Sequence, residues 1–207
     1  MLKKSIFIII TILLIDQILK IWVKTSMYIG EEIPLIGNWC ILHFVENNGM
    51  AFGFSFFGTT GKFLLSLFRI LASIGIAWYL YSLIKEKANK WLIYSISLIF
   101  AGAVGNILDS IFYGVIFEES NYNYIANFNP SAGYSSFLHG KVVDMFYCPV
   151  YSGFLPEWLG GGYFTFFQPV FNVADSAITV GVIAILFTQK ALFKSDKKEV
   201  EPINQEE

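Results

Sequence analysis

Phe171 to Phe187 reads FNVADSAITVGVIAILF. From Ala177 onward the stretch is apolar enough to sit in hydrocarbon, yet Asn172 and Asp175 open it, three residues apart. A carboxylate at the edge of lipid is costly, and such groups are kept where they pair or do chemistry. The segment therefore reads as a membrane helix with a polar entrance, and the rest of the chain is read from that entrance.

The 207 residues are 55% hydrophobic, 18% aromatic and only 14% charged, which is too apolar for an ordinary soluble domain. Four apolar runs stand out, at about 5–24, 63–84, 91–113 and 170–192. Each is long enough to cross a bilayer. The first lacks a small-residue cleavage site and carries Asp16, so it reads as a retained span rather than a cleavable signal. The expected fold is an all-α membrane bundle of four transmembrane helices with a small β-cradle on its outer side. Residues 1–192 would form one domain, followed by a charged, disordered tail over 193–207.

The lysines sort by loop. Lys3 and Lys4 precede the first run, Lys85, Lys87 and Lys90 separate the second and third, and Lys190, Lys194, Lys197 and Lys198 follow the fourth. The other two loops hold only Lys24, Lys62 and Lys141. The positive-inside rule then puts both termini in the cytoplasm and turns the loops at about 25–62 and 114–169 outward. The first outer loop, around 30–58, has short β-like runs and a tight-turn signal at Asn48-Gly49, with Trp39, Phe44, Phe52, Phe54, Phe56 and Phe57 suited to an interface. The second, about 114–168, reads as an irregular surface insertion whose later part, LPEWLGGGYFTFFQP, is aromatic and Gly-rich enough to dip into the interface.

This orientation gathers the polar residues. Asp16 falls in the outer half of the first run, with Lys20 one turn further on the same face. Asn106 and Asp109 lie near the outer end of the third, Asn172 and Asp175 near the outer end of the fourth, and Asp144 in the outer segment GKVVDMF. Four carboxylates from distant parts of the chain thus share one depth. Plainer readings stay open at this point. Asp16 and Lys20 can be a packing ion pair, Asn106 and Asp109 can tie helices together, Asp175 can be a helix-start carboxylate, and Asp144 a solvated charge. Arg69, alone in the second run, reads as a packing or pairing residue, and Ala101 with Gly105 as a small-residue pair for close helix contact.

Some classes fall away. A net charge of −2 argues against gripping nucleic acid. His43 and His139 have no partner at ligand spacing, so neither a metal nor another cofactor is expected. Cys40 and Cys148 read as two buried or interfacial thiols, with a disulfide only where both face an oxidising compartment. An ion-coupled carrier would line a route across the membrane, whereas these carboxylates gather on one side and no internal repeat is evident. A non-catalytic scaffold with structural aspartates is the third possibility.

Five pieces in order, DQILK (16–20), NNGMAF (47–52), GNILD (105–109), VVDMF (142–146) and FNVAD (171–175), resemble the bacterial lipoprotein signal peptidase family, signal peptidase II, over nearly the whole chain. The resemblance implies a four-span aspartyl endopeptidase of the bacterial inner membrane, acting near the periplasmic face. It implies cleavage of diacylglyceryl-modified prolipoproteins before the lipidated cysteine, by a monomer whose partners are substrate and membrane lipid. It implies Asp144 and Asp175 as the catalytic pair, with Asp16, Lys20, Asn47, Asn106, Asp109 and Asn172 in support. Two features depart from the family pattern: Ser110 stands where an Arg usually follows GNxxD, and the chain is longer around 115–139 and 150–166.

Overall fold

The computed structural model describes residues 1–37, 39–48, 58–166 and 169–196. The expected turn at Gly49, the remainder of NNGMAF after Asn48, the aromatics Phe52, Phe54, Phe56 and Phe57, and the tail from 197 lie outside the described residues.

The chain runs α1 (Leu2–Ser26), β1 (Glu32–Ile36), β2 (Cys40–Asn47), α2 (Gly58–Lys85), α3 (Lys90–Leu108), β3 (Val142–Tyr147), β4 (Tyr151–Phe154), β5 (Tyr163–Phe166) and α4 (Val173–Asp196). Beyond Leu108, α3 continues through a π-helical turn at Asp109–Tyr113 and a last α turn at Gly114–Ile116. Three helical stretches, Leu2–Ser26, Thr60–Lys85 and Lys90–Ile116, are long and apolar enough to cross a membrane. In α4 the apolar stretch is shorter, Val173–Phe187. Large apolar side chains such as Phe7, Phe68 and Trp78 point outward from the helices, as lipid-facing residues do.

Helices α3 and α4 pack at very close range. A Cβ added to Gly102 would sit 2.2 Å from the backbone oxygen of Ala174, and one added to Gly105 would sit 2.8 Å from Asp16 Oδ2. Small residues let the backbones approach this far, so the glycines of α3 set how near the mouth of α4 comes to α1.

The β region differs from the expected one. The β1–β2 hairpin turns at Gly37, which takes a φ of 53°. The third strand comes from the second outer loop: β3 pairs antiparallel with β2, giving the order β1-β2-β3. Residues Val142 to Met145 are all buried, so the strand has no in-out alternation and reads locally like a loop with apolar neighbours. Val23 of α1 and Met27 just after it, Phe44 of β2, Tyr113 and Phe117 beyond α3, and Val143 and Met145 of β3 form the cluster that seats the sheet on the helices.

Cys40 and Cys148 form a disulfide, which overturns the reading of two separate thiols. The insertion after α3 is ordered by a buried cation. Lys24 Nζ meets Glu46 Oε1 at 2.5 Å and Ser120 Oγ at 2.8 Å, and lies 5.0 Å from the centre of the Tyr134 ring. One ammonium therefore joins α1, β2 and the insertion.

Candidate active site

The site grows from the start of α4. Phe171 pairs with Phe146 through reciprocal backbone bonds, N to O at 3.0 Å and 2.8 Å. That bridge lays the chain just before α4 alongside β3, two residues beyond Asp144. Asn172 then caps the helix: its Oδ1 accepts from the Asp175 backbone N at 2.9 Å, and Asp175 Oδ2 accepts from the Asn172 backbone N at 3.3 Å. This is a reciprocal capping box. A further amide of the first turn, Ala174 N, donates to Asp16 Oδ1 of α1 at 2.8 Å.

The Asn172 side chain also reaches the other carboxylate, donating from Nδ2 to Asp144 Oδ1 at 2.7 Å. Asn47 donates from Nδ2 to Asp144 Oδ2. Val45 pairs with Asp144 and Asn47 with Val142, so Asn47 and Asp144 are diagonal neighbours on one face of the sheet. On the opposite side Asn106 Nδ2 donates to Asp175 Oδ1 at 2.8 Å. The Asn106 Oδ1 accepts from Asn172 Nδ2 at 3.1 Å and from Lys20 Nζ at 2.9 Å.

Beneath this layer lies a charged one with no exposed surface. Lys20 Nζ is 2.9 Å from Asp16 Oδ2 and 2.8 Å from Asp109 Oδ2, with all three side chains at 0% exposure. Gln17 Nε2 donates to Asp109 Oδ1 at 2.9 Å and to Asp16 Oδ2 at 3.1 Å, while its Oε1 accepts from the Tyr113 hydroxyl at 3.1 Å. Asp109 Oδ2 also accepts from Val143 N at 3.3 Å, tying this layer to the strand that carries Asp144.

All eight residues singled out in the sequence enter one hydrogen-bonded network. Its upper members differ in access: Asp144 is 4% exposed, whereas Asp175 is half-buried. Burial pushes the Asp144 carboxyl up to about 7, and the charge of Asp175 adds to that, against the pull of Lys20 and the bonds from Asn172 and Asn47. A carboxyl that keeps its proton near neutrality, tied to a second carboxylate through Asn172, can exchange a proton with a bound water.

Gln17 and Tyr113 were not singled out in the sequence. The only signal for Gln17 was its place inside DQILK. Arg69 was read as a packing or pairing residue, and its guanidinium interacts electrostatically with Asp175, Asp144 and Asp109. It belongs to a polar stripe on α2. Lys62 Nζ donates to Asn48 O at 2.8 Å, and Ser66 Oγ to Leu138 O at 2.8 Å. Ser110, in the π turn, donates to Asn106 O at 3.1 Å, so it braces α3 and does not extend toward either carboxylate.

The signal peptidase (SPase) II family model matches residues 8–191. A lipoprotein signal peptidase of Porphyromonas gingivalis is 47% identical over 184 residues, covering 86% of this chain and 79% of the relative. One of Amoebophilus asiaticus is 42% identical over 182 residues, covering 86% and 73%. Among solved structures, a bacterial membrane enzyme determined by the in meso method at 2.3 Å superposes with a TM-score of 0.62 at 26% identity, covering 98% of this chain and 95% of the other.

Proposed function

The chain belongs to the signal peptidase (SPase) II family, and from that premise we propose that Asp144 and Asp175 are the catalytic pair of a membrane protease that cleaves signal peptides from prolipoproteins. The observation that carries the assignment is the double role of Asn172. It bonds Asp144 with its side chain and Asp175 with its backbone, so the two carboxylates are held as a unit.

The pair holds one proton, on Asp144. Asp175, ionised, takes a proton from water as the water oxygen bonds to the scissile carbonyl carbon. Asp144 gives its proton to the carbonyl oxygen, and a neutral tetrahedral adduct forms. The carbon–nitrogen bond then breaks as Asp175 passes its proton to the departing nitrogen. Asp144 recovers a proton from the adduct hydroxyl as the new carboxyl group forms. Atoms and charges balance, and both residues return to their starting states. Asn47, Asn106 and Asn172 orient the two carboxylates. Lys20, neutralised by Asp16 and Asp109, holds Asn106 from below.

Four spans with both termini in the cytoplasm complete the reading, α4 being the fourth. Lys3, Lys4, Lys85, Lys87 and Lys90 lie at the end of the bundle away from the sheet, which supports a cytoplasmic assignment for that end. The disulfide lies at the sheet end, which supports an oxidising, periplasmic side for the site. A cut just before a diacylglyceryl cysteine suits a carboxylate pair at the bilayer rim, where the lipid stays in the membrane.

The test is cleavage of a diacylglyceryl-modified prolipoprotein by purified protein. Asp144→Asn and Asp175→Asn should each slow the cut by about 10²–10⁴-fold, and the unlipidated precursor should be a poor substrate. Near-wild-type rates for both variants would end the dyad assignment.

A further inference from the structure

The hairpin β4–β5 stands apart from the site and is used by nothing described above. It is a separate two-stranded sheet, with Tyr151 opposite Phe166, Gly153 opposite Phe164 and Phe154 opposite Tyr163. Opposed residues share a face. One face therefore carries Tyr151, Phe164 and Phe166, and the other Phe154 and Tyr163. Both faces are aromatic, and Trp158 at the connecting turn is 80% exposed. Between Val150 and Phe166 Glu157 is the only carboxylate or basic residue. A lone hairpin with exposed aromatic rings on both sides is marginal in water.

Its position names what covers it. The base is fastened to the three-stranded sheet by the Cys40–Cys148 disulfide and by Trp39 Nε1 donating to Pro149 O at 2.6 Å. On the C-terminal side the chain returns through the Phe171–Phe146 bridge directly into α4. The hairpin thus leaves the body beside the start of α4. At its base Leu35, Ile36 and Trp39 extend the same exposed apolar surface. Tyr and Trp favour the headgroup level of a bilayer, and Glu157 beside Trp158 keeps the tip shallow.

We propose that β4–β5 is a membrane-interface anchor, inserted edge-on into the headgroup layer of the leaflet beside the site. The partner is the lipid surface itself. This inference rests on the reading of the helices as membrane spans, so the experiment carries an internal reference for that reading.

The protein is reconstituted in phosphatidylcholine vesicles containing lipids brominated either near the carbonyl end or near the tail of the acyl chain. The fluorescence of Trp158 is taken as the difference between wild type and Trp158→Phe. That of Trp78, exposed along α2, is taken from Trp78→Phe. Trp158 emission should be quenched chiefly by the carbonyl-end bromines and resist aqueous iodide, while Trp78 is quenched by brominated chains. If iodide quenches Trp158 and bromolipids do not, the anchor is refuted and the spans stand. If Trp158 is shielded from both quenchers, a protein surface covers it and the anchor is again refuted. If Trp78 escapes the brominated chains as well, the membrane-span reading fails with it.

Discussion

Asn172 donates from Nδ2 to Asp144 Oδ1 at 2.7 Å while its own Oδ1 caps the amide of Asp175 at 2.9 Å. Helix capping and carboxylate positioning therefore reside in one side chain, and substitution can separate them. Serine still caps a helix but has no amide to donate to Asp144. Asn172→Ser should keep most of the thermal stability, whereas Asn172→Ala loses the cap as well, at about 1 kcal/mol. Both should lose at least about tenfold in kcat. A melting curve beside a cleavage assay checks this: serine activity near wild type would mean that the bond to Asp144 has no part in the reaction.

With Asp144 as the proposed proton donor, the reaction should depend on pH with a definite sign. Its carboxyl is raised to about 7 in the folded protein, against roughly 3.9 for a free aspartate. As the proton donor it is competent below about 7, so kcat/KM should fall about tenfold per unit above it. Stability follows the same group. Between about 4 and 7 the folded state holds a proton that the unfolded chain has released, so stability declines as pH rises through that window. Asp144→Asn should remove that decline, and a wild-type profile rising through pH 7 to 8 would contradict the assignment.

Arg69, on α2, should act on the same proton. Its guanidinium attracts Asp175, Asp144 and Asp109, and the charge favours the ionised forms of the pair. In Arg69→Gln the proton should stay on Asp144 to higher pH, moving the alkaline limb of the rate profile up by roughly one unit. Arg69→Lys should move it back. A limb that stays in place in the glutamine variant would leave Arg69 with a packing role alone.

Lys20 holds two carboxylates at once, with no exposed atoms on any of the three side chains. Removing one partner of such a set leaves charge buried and uncompensated, which typically destabilises by 3–5 kcal/mol. Lys20→Met should therefore melt far below wild type. The triple change with Asp16→Asn and Asp109→Asn should recover much of that loss in the melting experiment. Recovery without the two asparagines would show that the layer is solvated.

Much of this arrangement is legible in the sequence because the membrane limits where charge can go. Asp16, Asn106, Asp109 and Asp175 sit in apolar runs, so their depth follows from counting residues. Asp144 is legible as a residue and not as a strand. Its neighbours are buried on both sides, and the partner that makes it β is Val45, from a distant loop. The disulfide was open as a possibility and could not be chosen over two thiols, since Cys40 and Cys148 are 108 residues apart and meet only through the β2–β3 pairing. Gln17 and Arg69 could not be ranked from sequence, because a polar residue on a helix shows its importance only once the facing helix is known.

The disulfide offers a test of orientation and of stability together. It joins the start of β2 to the end of β3 and so spans the sheet that carries Asn47 and Asp144. A disulfide typically contributes about 2–4 kcal/mol, mainly by restricting the unfolded chain. Cys40→Ser combined with Cys148→Ser should lower the melting temperature and leave cleavage near wild type at low temperature, since the hydrogen bonds to Asp144 do not involve sulfur. In unreduced protein isolated from cells, neither cysteine should react with a thiol label until reductant is added. Labelling without reductant would place the sheet on the reducing side of the membrane, and the periplasmic assignment of the site would fall with it.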